Sequence, residues 1–263
     1  MTWKTIIFLL IIVVMISLLF VSKSKRLTPL KSNFDYYPPH QSINTLVILL
    51  HGGSWMAGDT GQLYDVGKYF AKQGMSVVNL NYRLAPEWQY DSPLQDIASV
   101  LRQVGTDPTA FGLVKNYKTV VMGFSAGGHI ATQFCLSEAK YEVRQVDMCV
   151  SLAGIYDLQR IVDDLDGPLL KPAVIQFLGK SSPKDASPIY QVSDDETTKF
   201  LLIRGDADLV VAPEQMDTFV TTLKAKNVHV DARVIPRIDH LGIFGTIPEN
   251  DPIAQIILKF INP

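Results

Sequence analysis

Residues 118–139 read KTVVMGFSAGGHIATQFCLSEA: a β-rich apolar run meets a helical stretch, with only Gly123-Phe124-Ser125-Ala126-Gly127 at the junction. So sharp a turn from strand to helix forces one residue into a strained backbone conformation, and glycines two before and two after Ser125 leave room for it. The serine oxygen then stands at a helix N-terminus, where backbone N–H groups and the helix dipole favour developing negative charge. A G-x-S-x-G in this setting marks Ser125 as a candidate nucleophile. The competing reading is a glycine-rich helix start whose serine is only an N-cap.

Outward from this junction the same alternation repeats. Apolar runs at about 43–50, 75–81, 118–124, 146–152, 199–204 and 229–235 read as strands, several of them continuous enough to be covered on both faces. Helix candidates lie at about 60–73, 93–104, 126–138, 168–179, 213–226 and 251–261, with Pro93, Pro213 and Pro252 placed where a first turn tolerates a missing N–H. Strand–helix–strand units with short connections predict an α/β fold: a mostly parallel sheet with right-handed crossovers and helices on both faces. In such sheets sites form beyond the carboxyl ends of the strands.

A second glycine-rich segment, His51-Gly52-Gly53-Ser54-Trp55, follows the run INTLVILL. Acyl transfer builds an oxyanion that needs N–H donors aimed at it beforehand, and such a loop exposes them. For a base there are five histidines. His40 precedes the first strand, His51 belongs to the glycine-rich loop, His129 follows the nucleophile on its helix, and His229 begins the last strand. His240, in RIDHLG past that strand's carboxyl end, is the candidate general base. The chain order Ser, acid, His leaves Asp206 and Asp208 of LLIRGDADLVV as candidate acids. Asp157 and Asp239 read as solvated loop charges, and Arg83 with Glu87 as an ion pair fixing their loop. No His/Cys/Asp/Glu set has metal-ligand spacing and no nucleotide-binding glycine motif occurs, so neither metal nor cofactor is predicted.

Together with NYRLAPE at 81–87 and Ser187-Pro188-Ile189, these motifs make the chain resemble the α/β-hydrolase esterases of the hormone-sensitive-lipase and kynurenine-formamidase or feruloyl-esterase-like branches, from about Ile43 onward. The resemblance implies an α/β-hydrolase fold and an oxyanion hole formed by the N–H groups of Gly53, Ser54 and Ala126. It selects Asp208, three residues after a glycine and two before a valine, as the triad acid, and leaves Asp206 a turn residue or cap. The implied reaction is cleavage of a small-molecule carboxylic ester through an acyl-enzyme by Ser125, His240 and Asp208. Trp55 is expected at the pocket edge as a candidate substrate contact. Hormone-sensitive-lipase relatives carry a third glycine where this chain has Ser54, whereas the formamidase-like branch carries H-G-G-x-W. The extra side chain narrows the loop against bulky tertiary-alcohol esters, and makes amidase-type hydrolysis, such as that of an arylformamidase, the alternative within the enzyme class. A membrane-tethered domain that binds a ligand without turnover is the alternative from another class.

The whole chain has 263 residues, with 24 Lys+Arg against 26 Asp+Glu, a net charge of −2, and 47% apolar residues. That composition fits a globular α/β domain and lacks the positive charge that would neutralise a nucleic-acid backbone. Cys135 and Cys149 sit in apolar surroundings and read as buried free thiols. The first 26 residues stand apart. Ile6 to Val21 read IIFLLIIVVMISLLFV, with Lys4 before the run and Lys23, Lys25 and Arg26 after it. At 1.5 Å per residue the run reaches roughly 24 Å, and Trp3 and Thr5 extend it toward the ~30 Å of a hydrocarbon core.

Residues 1–26 are therefore expected to be a hydrophobic transmembrane helix, a single-pass anchor whose basic flank favours a cytoplasmic main domain. A cleaved signal peptide is the alternative, though no small-x-small cleavage site follows the run. Residues 27–42 are expected to be a linker and 43–263 the catalytic domain. Between the strands ending near Leu152 and starting near Lys199 lie about 46 residues with one predicted helix. This predicts a small lid, an open pocket and short acyl groups.

Overall fold

The structure is a computed structural model and describes residues 33–166, 168–243 and 251–262. Its strands are β1 (Phe34–Tyr37), β2 (Thr45–Leu50), β3 (Ser76–Leu80), β4 (Lys118–Phe124), β5 (Met148–Leu152), β6 (Lys199–Gly205) and β7 (Val230–Ile235). They form one sheet in the order β1-β3-β2-β4-β5-β6-β7. Every neighbouring pair is parallel except β1 with β3. The helices are α1 (Tyr64–Lys72), α2 (Ser92–Thr106), α3 (Ala126–Cys135), α4 (Leu158–Val162), α5 (Lys171–Leu178), α6 (Pro213–Ala225) and α7 (Pro252–Ile261).

The period-two geometry of the strands divides the core into two layers. In β2, Val47 and Leu49 face one cluster with Val66, Phe70 and Ala71 of α1 and Ile253, Ile257 and Ile261 of α7. Leu46, Ile48 and Leu50 face the opposite cluster, with Ile97 and Leu101 of α2, Ile130 and Phe134 of α3, and Phe219 and Leu223 of α6. All six β2 residues are buried, which is why the run carries no polar alternation. Removing one such side chain, as in Ile48→Ala, costs about 2–5 kcal/mol, because the lost transfer energy is joined by an unfilled cavity. Cys135 and Cys149 are both free and buried, and burial raises the Cys135 thiol well above the usual range.

The structure departs from the sequence expectations in two segments. Phe34–Tyr37, placed in the linker, is the edge strand β1. Phe34 and Tyr36 pack with Phe111 on one side of the sheet, while Tyr37 joins the other layer and meets Tyr64 edge-on. The single helix expected between β5 and β6 is two short ones, α4 and α5, followed by a 3-10 turn at Pro188–Tyr190. The apolar helix expected at 6–21 lies outside the described residues, among which no helix is long and apolar enough to cross a membrane.

Candidate active site

The junction between β4 and α3 has the geometry its glycines predict. Ser125 sits at φ 54°, ψ −117°, a left-handed conformation costly for a residue with a side chain. Two backbone bonds hold it there: its N–H donates to the Leu152 carbonyl at 2.8 Å, and its carbonyl accepts the His129 N–H at 3.0 Å. A Cβ on Gly127 would stand 2.3 Å from the Leu50 carbonyl oxygen and 2.4 Å from that of His51. Only glycine lets α3 start so close to the end of β2.

The side chains of Asp208 and His240 converge on Ser125 from the loops after β6 and β7. His240 Nε2 lies 3.0 Å from Ser125 Oγ, and His240 Nδ1 lies 2.7 Å from Asp208 Oδ2. The other carboxylate oxygen of Asp208 accepts the N–H groups of Val210 at 2.8 Å and Val211 at 3.0 Å. Burial pushes the Asp208 carboxyl up, but the bond and charge of His240 and the two backbone donors outweigh it, and the net shift is downward. An ionised Asp208 accepts a hydrogen bond from Nδ1–H of His240, which leaves Nε2 as the acceptor facing the serine hydroxyl. Phe124 packs against the His240 ring at 5.1 Å. At Gly205 an added Cβ would meet the Ile238 carbonyl at 1.9 Å, so the two loops approach closely enough for acid and base to meet.

The glycine-rich loop is built from a run of positive φ angles, 118° at Gly53, 51° at Ser54 and 62° at Trp55. The Gly53 carbonyl accepts the N–H groups of Met56 and Ala57 at 3.1 and 3.0 Å, closing the turn. Ala126 is the first residue of α3, where helix geometry gives an N–H no partner within the helix. His51 is wholly buried: its Nδ1–H donates to the Gly52 carbonyl at 2.7 Å, its ring stacks on Tyr82 at 4.3 Å, and its own carbonyl accepts the Tyr82 hydroxyl at 2.8 Å. Burial pushes its pKa down to about 4.

Trp55 differs from its expected place at the pocket edge. It is 1% exposed, stacked on Phe177 at 5.2 Å, and its indole N–H donates to His129 Nδ1 at 3.0 Å. A side chain so enclosed packs the loop onto α3 and α5 and presents no face to a substrate. His129 completes the link by donating from Nε2 to the Ala186 carbonyl at 2.8 Å, and burial lowers its pKa to about 4. The sequence offered only position as a clue to this residue, one turn after Ser125.

The remaining candidates have local duties. Arg83 pairs with Asp96 at 2.8 Å and bonds the Ser92 carbonyl, whereas Glu87, its expected partner, is exposed. Asp206 is a turn residue whose carboxylate accepts the Arg237 N–H at 2.5 Å. Asp239 accepts the Gly242 N–H. Asp157, expected in solvent, is buried; it caps α4 by accepting the Arg160 N–H at 3.2 Å.

A serine, a histidine and an aspartate joined in series above the carboxyl edge of a doubly covered, mostly parallel sheet define an α/β-hydrolase. Over 92% of both chains the structure superposes on a truncated carbohydrate esterase from gut microbiota, with TM-score 0.74 and 22% identity. The BD-FAE family model matches residues 34–223, and the chain belongs to that family. Among curated relatives, Esterase LipC of Mycobacterium tuberculosis is 29% identical over 239 residues, covering 82% of this chain and 58% of its own. Versiconal hemiacetal acetate esterase of Dothistroma septosporum is 29% identical over 186 residues, covering 68% of this chain and 50% of its own. The chain thus spans about half to three-fifths of the length of these relatives.

Proposed function

We propose that the chain is a serine hydrolase that cleaves carboxylic esters through an acyl-enzyme. The observation that carries this is the hydrogen-bonded series Ser125–His240–Asp208. His240 accepts the hydroxyl proton through Nε2 as Ser125 Oγ attacks the ester carbonyl, and Asp208 stabilises the imidazolium that forms. The N–H groups of Gly53, Ser54 and Ala126 receive the oxyanion, with the dipole of α3 adding to the field. His240 then returns the proton to the leaving alcohol and activates water against the acyl-enzyme. Belonging to the BD-FAE family and being similar to named esterases support the choice of an ester.

The acyl group is short in this reading. Ser54 puts a side chain in the loop where hormone-sensitive-lipase relatives carry a third glycine, and one relative is named for an acetate ester. The protein is held at a membrane by residues 6–21, a placement supported by their apolar character, interrupted only at Ser17, and by their basic flank.

Stopped-flow hydrolysis of p-nitrophenyl acetate tests the mechanism. A burst of p-nitrophenol ahead of steady turnover is expected, and turnover that survives Ser125→Ala would sink the reading.

A further inference from the structure

The register of the sheet brings the N-terminal part of the chain to the end of the molecule that holds the candidate active site. Phe34 pairs with Leu80, Leu80 with Leu50, and Leu50 with Gly123, so these four residues form one transverse row. Three inter-strand steps of about 4.8 Å make that row about 14 Å wide, and Ser125 stands two residues beyond it. Because β1 runs antiparallel, the chain before Phe34 leads off from the carboxyl edge, where the Asn33 carbonyl accepts the Asn81 N–H at 2.8 Å. The eleven residues between Val21 and Asn33 can span at most about 40 Å, and they include Lys23, Lys25, Arg26 and Lys31.

The same edge carries apolar side chains in water. Met56, Trp88, Leu209 and Leu241 are 40%, 43%, 93% and 46% exposed, on the loops that leave β2, β3, β6 and β7. Leu209 and Leu241 directly follow Asp208 and His240. One exposed leucine needs no explanation, but these four lie on loops at the one edge of the sheet where the candidate active site opens. Of the carboxylates beside Leu209 and Leu241, Asp208 is bonded to His240, and Asp206 and Asp239 are turned onto the N–H groups of Arg237 and Gly242; Asp59 accepts the Gly61 N–H, and Glu87, next to Trp88, is exposed.

We propose that this opening lies against a lipid bilayer, with Met56, Leu209 and Leu241 at its rim, and that the substrate is a short acyl ester of an alcohol that partitions into that bilayer. The proposal rests on residues 6–21 being an anchor. A tether attached at the amino edge of the sheet would leave the opening turned to water; one attached at the carboxyl edge holds it toward the membrane. The basic residues of the tether draw the same edge toward anionic headgroups. The acyl group sits at the serine while the lipophilic alcohol stays in contact with the rim.

The test uses the full chain reconstituted into vesicles of phosphatidylcholine and phosphatidylglycerol. Single variants Met56→Cys, Leu209→Cys, Leu241→Cys and, at the opposite edge, Val114→Cys carry a maleimide-linked environment-sensitive fluorophore; Cys135 and Cys149 are buried from the label. Emission at positions 56, 209 and 241 is expected to shift to the blue and to be quenched by nitroxide-bearing lipid, with position 114 unchanged. If the chain floats with the vesicles while the rim positions behave like 114, the opening faces water and the proposal is overturned with the anchor intact. If the chain does not float with vesicles, the anchor itself fails and takes the proposal with it.

Discussion

Trp55 donates its indole N–H to Nδ1 of His129 at 3.0 Å, which ties the residue after Ser54 to the helix that begins at Ala126. The bond sets the tautomer of His129, whose remaining proton goes to Ala186. Trp55→Phe keeps the ring on Phe177 but leaves Nδ1 buried without a donor, a loss of about 1–3 kcal/mol. Urea unfolding should show that loss. Because the loosened loop carries Gly53 and Ser54, whose N–H groups are proposed to receive the oxyanion, kcat should fall more than KM rises.

His51 and His129 give the protein a defined weakness to acid. Each has a pKa lowered by burial from 6.5 to about 4, so between those values the unfolded chain binds protons that the folded chain refuses. Stability is therefore lost as pH falls from 6.5 toward 4, at about 1 kcal/mol per pH unit for each residue. Burial pushes the Glu138 carboxyl up to about 7, so it takes up a proton in the folded chain over the same range and offsets about one of the two histidines. His129→Gln, which can still accept from Trp55 and donate to Ala186, should therefore leave the profile nearly flat. Denaturant midpoints measured from pH 7 to 4.5 check this, and a flat wild-type profile would contradict it.

Asp208→Asn preserves the shape of the acid and removes its charge. The amide lets His240 settle in the wrong tautomer, and kcat for an ester should fall by about 10⁴-fold with little change in KM. The Asp208 carboxyl titrates below its ordinary 3.8, so its contribution to stability is complete above that value and is lost as pH falls through the folded pKa. The stability gap between wild type and Asp208→Asn should accordingly close in acid below about pH 4.

The proposed preference for short acyl groups has a direct kinetic test. Among p-nitrophenyl esters, kcat/KM should be highest for acetate to butyrate and fall toward palmitate. Faster turnover of the palmitate ester would contradict the short-acyl reading.

Much of this arrangement was legible in the sequence because it depends on local constraints. The glycines around Ser125 announce a turn that few other residues could make, and the continuous apolar runs announce strands covered on both faces. What escaped depends on partners distant along the chain. Phe34–Tyr37 is four residues next to a proline pair, too short for a period, and becomes a strand because β3 offers it an edge. Arg83 finds Asp96 rather than Glu87 because α2 packs beside its loop. Trp55 and His129 are 74 residues apart, and nothing in either motif foretells their bond.

The central claim is that Ser125 is the nucleophile, activated by His240 and Asp208. Treating the folded protein with a fluorophosphonate and locating the adduct by mass spectrometry tests it most directly. A single phosphonylated residue is expected, Ser125, with labelling abolished in Ser125→Ala and strongly slowed in Asp208→Asn. A folded protein that takes no label, or takes it on another serine, would contradict it.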